Sequence, residues 1–145
     1  MNHSPKRAGR SSLAALLLMS GLGTVAHAGD YVVIVNKDNQ SAVDKSMVAK
    51  IYTGDLKAWK DGTTVAPIDL PEDNPVRASF STDVLGKSVG NVKAVWAQLV
   101  FSGRALPPKQ AASDDEVKKL VAANKSAIGY VKASSVDDSV KVVIK

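Results

Sequence analysis

An α/β domain, with a mostly parallel sheet between two layers of helices, is the fold this sequence predicts. Three observations predict it. The run 31-YVVIVN-36 is rich in β-branched residues and has no polar alternation, as in a strand covered on both faces. Stretches with apolar residues at helical spacing follow it. The pattern then returns to short strand-like runs at 127-AIGYV-131 and 140-VKVVIK-145. Strands that alternate with helices build a three-layer sandwich with crossover connections.

The first 28 residues are set apart before the elements are read. Lys6, Arg7 and Arg10 make a basic start, 13-LAALLLM-19 is apolar, and 26-AHA-28 is a small-x-small cleavage site. That order is a secretory signal peptide, and its apolar run is too short to span a bilayer. The expectation is therefore a leader over 1–28 and one domain over 29–145, exported to the periplasm with no membrane insertion after cleavage. The whole chain carries 19 basic and 14 acidic residues, net +5. Taking away the leader's three bases leaves 16 against 14, net +2, over 117 residues. Such a balance demands neither nucleic acid nor an anionic membrane surface.

Both histidines, His3 and His27, lie in the leader, and the chain has no cysteine. The domain thus lacks an imidazole base for a serine nucleophile and the usual nitrogen and sulfur ligands of zinc. No cofactor is implied, and without disulfides the domain must stand on its packing. A chain of this length buries roughly two-thirds of its unfolded surface, enough for a core.

The elements follow in order. Asp44 caps a helix whose apolar face is Met47, Val48, Ile51 and Tyr52, and Gly54 stops it. Asp61-Gly62 marks a turn before a short strand over 65–69. Asn74 and Pro75 begin a second helix, with Val76, Phe80 and Val84 inside and Gly86 at its end. Ser88 starts a third, with Val92, Trp96, Leu99 and Val100 on its buried stripe and Gly103 closing it. Pro107-Pro108 enforces an extended connection. Ser113 with Glu116 is a capping box opening a helix with Val117, Leu120 and Val121 inside.

The runs 51-IYTGDLKAWKDGTTVAPID-69, 99-LVFSGRALPP-108 and 127-AIGYV-131, with the helix start at Asn74 between them, resemble the phosphate-binding family of periplasmic solute-binding proteins. They resemble most its short, substrate-binding-protein-like members. The resemblance covers nearly all of residues 29–145. It implies a type II periplasmic binding fold, no catalysis, a small anion such as phosphate as ligand, and an ABC-type uptake system as partner. Full-length members close two lobes on their ligand, whereas 117 residues suffice for one lobe.

The resemblance also brings a departure. In the phosphate binders the matching helix start carries a Ser-Asp-Gly-Ser-Gly-Thr type run whose amides and hydroxyls wrap the oxyanion. Here Glu72 falls near that Asp, Asp73 and Asn74 stand for Gly and Ser, and Pro75 and Val76 replace Gly and Thr. Pro75 removes an amide donor and Asp73 adds a negative charge. The ligand-binding residues implied are Asn74, Val76, Arg77 and Ser79. A competing reading has Glu72 and Asp73 compensating the helix end, with Arg77 paired to one of them.

Trp59 and Trp96 read as core, Tyr130 as a buried tyrosine with a satisfied hydroxyl, and Arg104 as a loop arginine. Asp114, Asp115 and Glu116 read as dipole compensation on a first helical turn rather than a metal site. Two functional readings stand: a non-enzymatic solute binder of weak phosphate affinity, and an envelope interaction module that offers its uncovered face to a partner protein or to a second copy as a homodimer.

Overall fold

The computed structural model of the chain describes residues 30–145. The leader expected over 1–28 lies outside the described residues. The elements are β1 (Tyr31–Val35), α1 (Lys45–Tyr52), β2 (Ala66–Asp69), α2 (Pro75–Phe80), α3 (Val89–Phe101), β3 (Lys109–Gln110), α4 (Asp114–Ala123), β4 (Ala127–Lys132) and β5 (Lys141–Ile144).

The five strands form one sheet in the order β3-β2-β4-β1-β5. β2 pairs in parallel with both β3 and β4, and β1 pairs antiparallel with both β4 and β5. Four strands therefore point one way and β1 runs against them, which is the mostly parallel sheet that the sequence predicts. The two-residue β3 was not legible beforehand, because Lys109 and Gln110 are both exposed and follow two prolines.

β4 shows how the layers form. Successive residues of a strand face opposite sides. A Cβ on Gly129 would stand 2.6 Å from Val117 Cγ1 and 3.3 Å from Val121 Cγ2, so glycine lets α4 press onto one face of the sheet. Its neighbour Tyr130 points the other way, stacked on Phe80 with ring centroids 3.9 Å apart and edge-on to Tyr52 at 5.8 Å. Phe80 belongs to α2 and Tyr52 to α1, so those helices cover the second face. Val33, Ile34, Val35, Leu70, Ile128 and Val131 are fully buried between the layers.

The helix starts follow local chemistry. Asp44 accepts from the Met47 amide, Asn74 from the Val76 amide, and Ser88 from the Asn91 amide. Ser113 accepts from the Glu116 amide, and Glu116 reaches back to the Ala112 amide at 2.7 Å. α2 runs on as one stretch of wider π-type turns over Ser81–Leu85 before Gly86, at φ 64°, ends it. Trp59 donates to the Ser126 carbonyl and Trp96 to the Tyr52 carbonyl, so both indoles are core with satisfied N–H groups. Val100 departs from its expected place: it is 44% exposed, and of that stripe Val92 and Trp96 are the buried members.

Candidate functional site

The carboxyl ends of parallel strands are where open α/β sheets gather ligands. At the end of β2 the chain leaves the sheet through Asp69 and Leu70 and re-enters helix at Asn74. Asn74 holds an extended backbone and its Oδ1 accepts from the Val76 amide at 2.9 Å, while Pro75 has no amide to offer. The Ala78 amide bonds to the Asn74 carbonyl at 3.2 Å. Among the described residues this leaves the Arg77 amide and the Asn74 Nδ2 as the donors of the first turn without an acceptor.

The four expected ligand residues then separate. Val76 is in the core at 1% exposure, and its amide is taken by Asn74. Ser79 donates its hydroxyl to the Pro75 carbonyl at 3.2 Å. Asn74 stays at the surface of the turn. Arg77 folds inward: one guanidinium nitrogen donates to the Leu70 carbonyl at 2.9 Å, and another lies 3.5 Å from Asp69 Oδ2, with both side chains close to nine-tenths covered. The arginine does not pair with Glu72 or Asp73. Glu72 pairs instead with Lys93 of α3 at 3.0 Å.

Asp69 is the residue that sequence reasoning passed over. It is buried at the end of an apolar strand and accepts from its neighbour's amide, Leu70 N, at 2.9 Å. It also accepts from the Tyr130 hydroxyl across the sheet and faces the Arg77 guanidinium. Burial pushes its carboxyl above the ordinary aspartate range, against the lowering pull of Tyr130, Arg77 and the Leu70 amide. The Tyr130 phenol is pushed up, first by burial and then by the Asp69 charge. Tyr52 donates to the Ile68 and Ile128 carbonyls at 2.8 and 3.2 Å, and burial raises its phenol too. The signal in the sequence was a lone acid closing a strand whose preceding residues are apolar, Ala66, Pro67 and Ile68.

The arrangement is a binding geometry with its charge already compensated. An arginine and a free first-turn amide stand at a strand end, and a fixed carboxylate shares the arginine.

Residues 25–143 match the profile of a family described as the PBP superfamily domain. The chain belongs to that family. A comparison with curated proteins finds no match. Among solved structures, this PBP-superfamily domain is similar to an ABC-type phosphate transport receptor from Vibrio cholerae. The identity is 22% and the TM-score 0.62, over 79% of this chain and 45% of that one. It is similar to a Clostridium perfringens protein, assigned as a phosphate ABC transporter substrate-binding protein with bound phosphate, at 23% identity and TM-score 0.64, over 79% and 44%. It is also similar to PstS from Borrelia burgdorferi, at 13% identity and TM-score 0.56, over 79% and 46%. These likenesses establish the fold, and the chain spans less than half the length of each of these proteins.

The other features of the PBP-superfamily domain are structural. Asp114 accepts from the Ser135 hydroxyl at 2.7 Å, and Asp115 lies 3.3 Å from Lys118. Asp137 is held below the usual carboxylate range by Ser139 and Lys118. Tyr31, raised to about 12 by burial and by the nearby Asp83 carboxylate, borders a hollow of about 600 Å³ with Asp30, Asp83 and Lys145. An apolar hollow of about 390 Å³ opens between α1, β2 and the loop after α3. Its lining includes Ile51, Leu56, Trp96 and Leu106, together with Lys57 and Lys109.

Proposed function

We propose that this domain is an exported, non-enzymatic, periplasmic solute-binding lobe that holds phosphate or a related small anion weakly at the head of α2, in service of an ABC-type uptake system. Arg77 and Asn74 supply the donors, with Val76 and Ser79 shaping the turn. One observation carries the reading. Arg77, the arginine found at this strand end among the described residues, is shared with the buried Asp69 carboxylate at 3.5 Å, so an incoming anion meets a cation already half neutralised. Fold likeness to proteins described as phosphate receptors, one with bound phosphate, supports the ligand class. Charge interactions in an open lobe are further screened by water and salt.

Calorimetric titration of residues 29–145 with phosphate, and with sulfate as control, tests it. Wild type shows millimolar or weaker binding of phosphate. Asp69→Asn, which frees the guanidinium, strengthens it about tenfold, and Arg77→Ala removes it, each variant checked for fold by circular dichroism. No heat at tens of millimolar phosphate in either wild type or Asp69→Asn removes the ligand from the account.

A second reading, a cell-envelope interaction module, is favoured by a separate observation. Phe101 and Leu106 lie at the surface 95% and 86% exposed, and Val100 joins them at 44%.

A further inference from the structure

The apolar hollow of about 390 Å³ beside α1, β2 and the loop after α3 serves neither the core nor the head of α2. Its floor is hydrocarbon: Ile51, Val65 and Trp96 line it and are each at most 9% exposed. Leu106 is in the same lining yet 86% exposed, so it forms the outer part of the wall. Local devices hold this shape. A Cβ on Gly54, at φ 83°, would stand 2.6 Å from Leu99 Cδ1 and 3.4 Å from the Trp96 ring, so glycine lets the chain after α1 close against α3. The Trp96 N–H is spent on the Tyr52 carbonyl at 2.9 Å, which leaves the indole only its ring to present. Pro107, itself in the lining, and Pro108 hold the stretch from Leu106 extended.

The charges in this lining have one sign. Lys57 and Lys109 belong to it, and no aspartate or glutamate does. Both lysines have fixed backbones: the Lys57 carbonyl accepts from the Val65 amide at 2.9 Å, and Lys109 is in register with Ile68 where β3 pairs with β2. Lys57 Nζ donates to the Arg104 carbonyl at 2.6 Å, which takes one of an ammonium's three donors and leaves two. Among the described residues neither lysine has a carboxylate partner. Arg77 is the opposite case, since its guanidinium is already shared with Asp69.

We propose that this hollow binds a small carboxylic acid with an apolar body, its hydrocarbon against Ile51, Val65, Trp96 and Leu106 and its carboxylate on Lys57 and Lys109. A mostly apolar concavity with a few convergent polar groups is the usual form of a small-ligand site. Its volume of about 390 Å³ lies near the lower end of the roughly 300–1,000 Å³ that such sites span. Inorganic phosphate has no apolar surface to set on this floor. An amino acid would bring a third ammonium to a lining with no acid to receive it. The hollow borders the first residues of β2, Ala66 and Pro67, whereas α2 begins beyond the last. The inference is therefore independent of the anion reading.

The test follows amide and indole NMR resonances of residues 29–145 during titration with phenylacetate, and with phenylethanol as the uncharged control. Phenylacetate moves the Gly54, Leu56 and Leu106 amides and the Trp96 indole saturably. It binds about tenfold more tightly than the alcohol, roughly the worth of one hydrogen bond between charged groups. The paired substitutions Lys57→Met and Lys109→Met keep the apolar stems and remove both charges. They bring the acid's affinity down to the alcohol's and leave the alcohol's unchanged, which reports an intact hollow. Lys109→Met alone lowers the acid's affinity several-fold, and it leaves the bond from Lys57 to the Arg104 carbonyl in place. Equal affinities of wild type for acid and alcohol overturn the proposal, as does an acid preference that survives the double substitution, or no saturable shift at tens of millimolar acid. Shifts confined to Asn74, Val76 and Arg77 also overturn it; that result would make phenylacetate one more anion at the head of α2 and leave the anion reading standing. Phosphate titrated in parallel moves the head of α2 and not the hollow, so the two readings fail separately.

Discussion

The strand end at Asp69 and the loop from Val100 to Lys109 are opposite cases. The first puts charges inside: a carboxylate and a guanidinium, both close to nine-tenths covered, surrounded by a tyrosine hydroxyl, an amide and a carbonyl. The second puts apolar groups outside, where Phe101 and Leu106 meet water. Each breaks the usual sorting of residues, but they differ in how the cost is met. Inside, every charged group has partners, so the region is closed upon itself and has little capacity left for a ligand. Outside, the apolar groups have no partner among the described residues, so their cost is relieved only by something that arrives.

The sharpest way to break this comparison is to remove Asp69. Deleting one member of a buried pair leaves the other charge uncompensated, at a cost of about 3–5 kcal/mol. Asp69→Ala should lower the urea midpoint accordingly, and Tyr130 would lose its acceptor as well. Phe101→Ser with Leu106→Ser should change stability by no more than about 0.5 kcal/mol, as surface substitutions do. Equal midpoints for the two variants would mean that the strand end is no more integral to the fold than the loop.

The next test is pH. Burial raises the Asp69 carboxyl in the folded state, so the folded chain holds that proton more tightly than the unfolded chain does. Stability supplied by Asp69 is therefore greatest at and below the unfolded pKa, near 3.9, and falls as pH rises toward the raised folded value. Urea midpoints of wild type and Asp69→Asn, followed upward from pH 4, should diverge, with wild type losing ground. Parallel curves would show that the charge on Asp69 is as well accommodated inside as in water. Asp61 and Asp137, both lowered, act in the opposite sense in both proteins, losing stability as pH falls, and so cancel from the difference.

The contrast also explains what the sequence disclosed. The elements were legible where periodicity, caps and glycine stops agree: Asp44 before α1, Asn74-Pro75 before α2, Ser113 with Glu116 before α4, and the apolar run of β1. β3 was not, because two exposed polar residues carry no pattern. The π turns after Phe80 were hidden because widening a helix leaves the apolar spacing of Val76, Phe80 and Val84 intact. The site was legible in position but not in pairing. Glu72 and Asp73 were the acids nearest Arg77 in sequence, yet a side chain on the first turn reaches back over the strand it follows, and Asp69 waits there. Val100 was assigned to the buried stripe because it is apolar and one step past Leu99. Nothing in a single sequence shows which side of the last helical turn a neighbour covers.

The smallest effect is also the most selective. Asn74 has two functions at the head of α2 that one substitution can separate. Its Oδ1 caps the Val76 amide, and its Nδ2 is the side-chain donor left over for an anion. Asn74→Ala removes both and should cost about 1 kcal/mol, as N-cap losses do. Asn74→Asp keeps an acceptor for the Val76 amide, so its stability should stay within a few tenths of a kcal/mol of wild type, since aspartate and asparagine cap about equally well. It also deletes the donor and places a third acid beside Glu72 and Asp73, so phosphate binding should vanish from a fully folded protein. Phosphate heats unchanged in Asn74→Asp would assign the residue to the cap alone, and would leave Arg77, shared with Asp69, as the remaining donor for a ligand among the described residues at this strand end.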